Sequence, residues 1–362
     1  MKKTVGSIIV AAGLSSRMKD FKPLMKIGSS TIIESTINNF KLLGVDEIVV
    51  VTGYRENVLK NSINCENIRF VHNGNYETTH MFDSICLGLK EIRNKVDLIF
   101  ITPADSPFVQ QFTLKRMMDR MKNSNYEIIQ PSYEGKCGHP LLISSEYVNT
   151  ILKHDGTNGL QGVITYKSDS YLNMSFVDPG IVMDADKKPD YQALLKYNEI
   201  KGCPSVEMCE KMLNHFQATD LVKSHSHKVM EVALSINEKL EKRGLILDKD
   251  AIVAASMLHD IAKGNPHHGE VGANWLMEMG FEIISNIVRE HMELKELSPV
   301  IREKEVVYLA DKLVMENKIC SIEERFLLKE ELFKSNEIIT KVVEKRKHQA
   351  MLLYDIIFGT GW

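Results

Sequence analysis

Among the 362 residues, no apolar run approaches the length of a membrane span. Neither sign of charge dominates: 45 Lys and Arg stand against 48 Asp and Glu, a formal net charge of −3. That balance excludes a broad electrostatic footprint for nucleic acid or an anionic membrane. The cysteines, at 65, 86, 137, 203, 209 and 320, lack metal-ligand spacing and suit a reducing cytosol. Internal repeats and low-complexity segments are absent. So are two common phosphate-loop signatures, a Gly-Lys-Ser/Thr loop and a G-x-G-x-x-G turn. The opening TVGSIIVAAGL leads straight into SSRMKDFK, so it reads as a buried first strand and not as a signal peptide. A cytoplasmic location is the expectation.

What is present is a change of pattern along the chain. From residue 5 to about 180, short β-branched runs (VGSIIVAA, DEIVVVTG, NIRFVHN, DLIFITPAD, YEIIQPSY, YLNMSFVD) alternate with amphipathic stretches such as TIIESTINNFKLLG. Alternation of this kind predicts βαβ units and a mostly parallel sheet. After Pro189 the strand signal stops, and residues 190–200 read as a closing helix. From 207 onward every segment reads as helix, with ends at Gly244, Gly264 and Gly280. The expected organisation is an α/β domain over 1–200, a linker over 201–206 and an all-α domain over 207–362.

In the first domain, the loop AAGLSSRMKDFKPLMKIG (11–28) follows the first strand. Ala11, Ala12, Gly13 and Ser15 would let backbone N–H groups approach phosphate oxygens, and Arg17 and Lys22 bring two cations to the same place. Asp105 follows an apolar strand in TPADSPFV, where the strand's carboxyl end faces a ligand crevice. KCGHPLLI contains His139, LKHDGTNGL forms an acidic-glycine loop, and VMDADKKPDY holds Asp184 and Asp186. Taken singly, each has a plainer reading: a small-residue turn, a turn aspartate, a packed histidine, or acids capping the helix near Pro189. The order and spacing of all five segments favour the joint one.

Those segments resemble the MobA-like nucleotidyltransferases, in the molybdenum cofactor cytidylyltransferase branch. The resemblance implies a Rossmann-like fold of the nucleotide-diphospho-sugar-transferase type, with a mostly parallel sheet. It implies Mg²⁺ on Asp105 with Asp184 and Asp186, and nucleotide contacts from Ala11, Ala12, Gly13, Ser15, Arg17, Lys22, Asn73, Ser84 and His139. Catalysis would rest on Arg17, Lys22 and Asp105. The acceptor would be molybdopterin or its molybdenum form, with molybdoenzyme maturation proteins as partners. Ala11-Ala12-Gly13 favours CTP over GTP. Two departures stand out. Lys19 occupies a position usually held by Gly, and NGNYETTHMFDSI (73–85) keeps Met81 and Ser84 but has His80 at a glycine position.

In the second domain, His225, the doublet His259-Asp260, and Asp311 come from three segments that read as helix. Such a set can surround one divalent ion and activate water against a phosphoester, with Mn, Fe, Co, Ni or Zn suiting the imidazoles. The set resembles the HD phosphohydrolase superfamily. That implies His268 and His291 as ligands of a second metal, Asp260 as general base and Lys263 as a phosphate contact. His227 faces the opposite way on its helix and reads as a surface residue, and His267 as a bystander at a helix start. Met257, Met277, Met279 and Trp275 read as core filling.

The combined expectation is a bifunctional enzyme that couples nucleotidyl transfer with metal-dependent phosphohydrolysis. Two alternatives remain. In one the acceptor is a sugar, polyol or choline phosphate. In the other the helical domain is a regulatory nucleotide-binding module.

Overall fold

A computed structural model describes residues 3–14, 18, 20–63, 66–164, 168–297 and 300–359. The chain divides into two compact units, Met1–Glu199 and Ile200–Trp362.

The first unit is built on an eight-stranded mixed sheet. Its strands lie in the spatial order Tyr171–Ser175, Ile128–Tyr133, Leu141–Ser144, Leu98–Pro103, Val5–Ala11, Glu47–Thr52 and Ile68–His72, with Lys136–Cys137 pairing Ile128–Tyr133. Val5–Ala11 runs parallel to both Glu47–Thr52 and Leu98–Pro103. These three strands are buried almost throughout, which is why they read as continuous apolar runs and not as alternating ones. Leu141–Ser144 is antiparallel to both neighbours.

The first strand therefore has later strands on either side, and the crossover direction reverses there. Crevices at such reversals open beyond the strands' carboxyl ends. Val10 sits in register with Pro103, and Val10 O accepts the N–H of Ala104 at 3.0 Å, so Ala12-Gly13 and Ala104-Asp105 leave the sheet side by side. Gly53, at the end of the neighbouring strand, cannot be larger: a Cβ there would lie 2.7 Å from the carbonyl oxygen of Ala12.

A second clasp joins the remaining site segments. Gly138 packs so closely on Ile181 that a Cβ would run into the Ile181 carbonyl, which accepts the His139 N–H at 2.9 Å. Buried Asp178 secures the other side. It accepts from Gln110 N–H at 2.9 Å, Gly180 N–H at 3.0 Å and the Thr113 hydroxyl at 2.7 Å. Burial pushes its carboxyl up to about 6, against the pull of those three donors.

The second unit is helical. Asp220–Glu241 buries Val229, Ala233, Ile236 and Leu240 along one stripe, the helical period of a core-facing surface. Lys249–Leu258 is buried on nearly every side from Ala251 to Leu258, as the centre of a bundle should be. Against the all-helical expectation, a short hairpin pairs Val314–Met315 with Lys318–Ile319. Met257 and Met279 are buried as core residues, but Met277 is 40% exposed and fills no core. Among the described residues no helix is long and apolar enough to cross a membrane.

Candidate active sites

The first unit gathers its charged groups at the carboxyl ends of the central strands. Carboxylate oxygens of Asp105, Asp184 and Asp186 lie within 4.8 Å of one another. Asp105 is buried, whereas Asp184 and Asp186 are exposed. Lys22 reaches into the group, pairing with Asp105 and, at 3.0 Å, with Asp186. Burial would lower the Lys22 ammonium, but the two aspartates outweigh it and hold it above its ordinary value. Partial desolvation among the crowded carboxylates, with repulsion from Asp105 and Asp186, raises the Asp184 carboxyl although the residue keeps much of its surface in solvent. Three crowded carboxylates with one ammonium between them form a hard-oxygen donor set that fits Mg²⁺.

Ala12 and Gly13 line a cavity of about 170 Å³ together with Tyr76, His80 and Ser84. Ala11 is buried at the strand end. Asn73 sits behind the cavity, donating to Ser84 Oγ at 2.9 Å and Thr79 Oγ1 at 3.0 Å while its own oxygen accepts the Asn75 N–H. Its amide is thereby committed to shaping the loop. His139 lines a larger cavity of about 640 Å³, together with His80, Asp83, Gln130 and Asp155. Burial lowers the His139 imidazole against the pull of Asp105, so it is neutral near pH 7. Ser15 and Arg17 lie outside the described residues.

The second unit gathers its site at the C-terminal turn of Lys249–Leu258, where His259 and Asp260 stand just beyond the helix body. His225 comes from Asp220–Glu241, Asp311 from Glu303–Lys312, and His268 from the start of His268–Glu278. His291 follows Glu282–Arg289. Three imidazoles are oriented by backbone carbonyls on Nδ1: His225 by Glu316 at 2.7 Å, His259 by Ser256 at 2.7 Å and His291 by Val288 at 2.6 Å. A carbonyl only accepts, so Nδ1 carries the proton and Nε2 turns its lone pair inward.

Those Nε2 atoms meet carboxylates. His225 lies 3.1 Å from Asp311 Oδ1, and His259 3.7 Å from Asp311 Oδ1 and 3.6 Å from Asp260 Oδ2. His268 and His291 lie 3.1 and 3.6 Å from Asp260 Oδ1. The Nε2 atoms of His259, His268 and His291, and Asp260 Oδ1, are buried without a hydrogen-bond partner. Lone pairs facing carboxylates are satisfied by a cation between them, so the residues fit a metal. The donors fall into two groups, His225–His259–Asp260 and Asp260–His268–His291, with Asp260 common to both. Burial lowers His259 to about 4, against the pull of Asp260 and Asp311. The carboxyls of Asp260 and Asp311 are held well below the usual range despite burial: Asp260 chiefly by His259, His268 and His291, Asp311 chiefly by Lys312 and His225.

The comparisons with known proteins agree with this division. Residues 7–171 match the MobA-like NTP transferase domain, and residues 222–316 the HD domain. The molybdenum cofactor cytidylyltransferase of Escherichia coli is 30% identical over 199 residues, spanning 54% of this chain and 98% of that protein. The chain belongs to the MobA-like NTP transferase family. The bifunctional protein GlmU of Francisella tularensis subsp. novicida is 26% identical over 159 residues, 42% of this chain but only 34% of that protein. The solved structure of Rv0371c from Mycobacterium tuberculosis H37Rv is 21% identical, covering 54% of this chain and all of that one with a TM-score of 0.48.

The MobA-like domain makes this protein a nucleotidyltransferase, joined to an HD domain. In the HD domain Lys263 donates to Asp260 Oδ2 at 2.9 Å. His227 faces away, paired with Glu210 at 2.5 Å, and His267 precedes its helix with φ +53°. Sequence reasoning missed two cations. Lys312 is buried, donating to Asp311 Oδ2 at 2.6 Å and to the His291 carbonyl at 3.0 Å, and Arg325 stands 3.6 Å from Asp311 Oδ1. The basic residue directly after Asp311 was the available signal for Lys312.

Proposed function

We propose that the MobA-like domain transfers a nucleotidyl group, CMP in preference to GMP, from a nucleoside triphosphate to the terminal phosphate of molybdopterin or the molybdenum cofactor. Pyrophosphate is released. The observation that carries this reading is the convergence of Lys22 with Asp105, Asp184 and Asp186 beside the Ala12-Gly13 loop. The likeness to a cofactor cytidylyltransferase supports it. Asp105, Asp184 and Asp186 would hold Mg²⁺, which when bound supplies charge neutralisation at the α-phosphate. The acceptor's phosphate oxygen attacks the α-phosphorus in line, and the bridging oxygen departs with pyrophosphate. Lys22 and Arg17 offset the charge on that leaving group. Ala12 and Gly13 let the triphosphate approach the backbone, Ser84 faces the same cavity, and neutral His139 lines the larger one. No protein nucleophile is needed, so the domain acts by positioning and charge.

We propose in the same way that the HD domain hydrolyses a phosphate ester or anhydride. His225, His259, Asp260 and Asp311, with His268 and His291, would hold divalent Mn, Fe, Co, Ni or Zn, which when bound activates water. Asp260 can take the water's proton, and Lys263 can reach a substrate phosphate. Cysteines without metal-ligand spacing suit a reducing cytoplasm, and molybdoenzyme maturation proteins are the partners expected of a cofactor cytidylyltransferase.

One observation favours a second class of acceptor, a sugar, polyol or choline phosphate: His80 lines both cavities of the first unit. The test is pyrophosphate release from CTP, GTP, ATP and UTP with molybdopterin and Mg²⁺. Release with CTP, reduced at least ~100-fold by Asp105→Ala, is expected. Release with GTP alone would reverse the base preference, and no release would move the acceptor to the second class.

A further inference from the structure

Arg325 has an unusual setting for a structural ion pair. It projects from the helix Ile322–Phe333 toward Asp311, with one terminal nitrogen 3.6 Å from Oδ1, too far for a hydrogen bond. Its Nε is buried and has no hydrogen-bond partner among the described residues. Asp311 does not need it, because Lys312 already donates to the other carboxylate oxygen at 2.6 Å. One helical turn further on, Lys329 stands on the same face. Its ammonium is lowered to about 8, first by burial and then by repulsion from Arg325 and Lys312. A guanidinium fork left incompletely bonded beside buried Lys312, with Lys329 one turn along the same helix face, makes an anion subsite.

The charge at the centre points the same way. Two carboxylates, Asp260 and Asp311, face three cations, Lys263, Lys312 and Arg325. Any divalent ion on the histidines adds to that excess. A phosphodiester carries one negative charge and leaves most of the excess standing. A phosphomonoester or a terminal phosphate anhydride carries two or more, and offers the fork two terminal oxygens.

We propose that Arg325, backed by Lys329, is the specificity-determining residue of the HD domain, and that the domain takes a terminal phosphoryl group, in a monoester or an anhydride, and not a diester. The proposal rests on the hydrolase reading of that domain and adds the substrate class to it. The step consumes one water. Its oxygen bonds to the terminal phosphorus as the P–O bond to the leaving group breaks, and the water's proton ends on the leaving oxygen. Inorganic pyrophosphate, the co-product of nucleotidyl transfer, belongs to this class.

The test compares the Mn²⁺-loaded full chain with Arg325→Gln and Arg325→Lys, using p-nitrophenyl phosphate, inorganic pyrophosphate and bis(p-nitrophenyl) phosphate. Arg325→Gln should raise KM for the first two at least tenfold while kcat changes less than threefold, and Arg325→Lys should recover part of the loss. Bound manganese and melting temperature should stay as in the parent. A preference of the parent for the diester, or equal effects of Arg325→Gln on all three substrates, overturns the proposal. If the parent hydrolyses none of them, the hydrolase reading fails and the subsite is judged by binding. A thermal shift with inorganic phosphate that Arg325→Gln abolishes keeps the subsite, and a shift it leaves intact removes it.

Discussion

At the scale of single residues, much of both centres was legible because the chemistry allows few substitutes. Asp105 follows an apolar strand, and the His259-Asp260 doublet, common enough alone, gains its meaning from His225 and Asp311 on either side of it in the chain. Lys312 and Arg325 were not legible, since an isolated cation on an amphipathic helix looks like any solvated lysine or arginine until the fold turns it inward. Asp178 is a similar case, a carboxylate whose burial no local pattern announces. Its folded value of about 6 lies above the roughly 3.9 of an unfolded aspartate. The folded state therefore keeps a proton that the unfolded chain has already released. Stability from this group is fully present below pH 4 and is lost as the pH rises through about 6. Relative to Asp178→Asn, the parent should lose roughly 3 kcal/mol between those limits, measured by denaturant unfolding at pH 4, 5 and 6.5. A difference constant with pH would mean that the three donors keep the carboxyl ionised throughout.

At the scale of elements, the six β-branched runs read from the sequence all appear as strands, and in the three central ones buried parallel pairing explains the continuous apolar pattern. Leu141–Ser144 escaped notice because four residues behind Gly138-His139-Pro140 are too few to display a period, and its antiparallel pairing comes wholly from tertiary context. The hairpin over 314–319 escaped for the same reason, two residues a strand. Yet its turn residue Glu316, at φ +56°, supplies the carbonyl that orients His225. The clasp between Gly138 and Ile181 makes a sharper prediction. In Gly138→Ala the new methyl must displace the Ile181 carbonyl, which should cost the first unit about 1–3 kcal/mol. Nucleotidyl transfer should fall with it, because His139 and Asp184 stand on the two segments that would part. Thermal melting together with the pyrophosphate assay checks this. An Ala variant with the parent's stability would show that the clasp yields freely.

At the scale of the whole molecule, the change from alternating to helical pattern near residue 200 was the clearest organisational signal, and the chain divides into two compact units between Glu199 and Ile200. Each has its own core and its own set of charged groups, so the two should respond to metal separately. After chelation, Mn²⁺ at about a hundred times its dissociation constant should stabilise the second unit by ~2.7 kcal/mol, a rise in melting temperature of roughly 5–10 °C. The rise should persist in Asp105→Ala and vanish in Asp260→Ala. A rise that vanishes in Asp105→Ala and persists in Asp260→Ala would place the stabilising ion in the first unit instead. The carbonyls of Glu316, Ser256 and Val288 carry one more consequence. They hold each imidazole in the tautomer a metal requires, and burial keeps His259 uncharged down to about pH 4. The deprotonation that usually accompanies coordination by histidine has thus been completed by folding itself, and an ion arriving at His259 finds no proton to compete with.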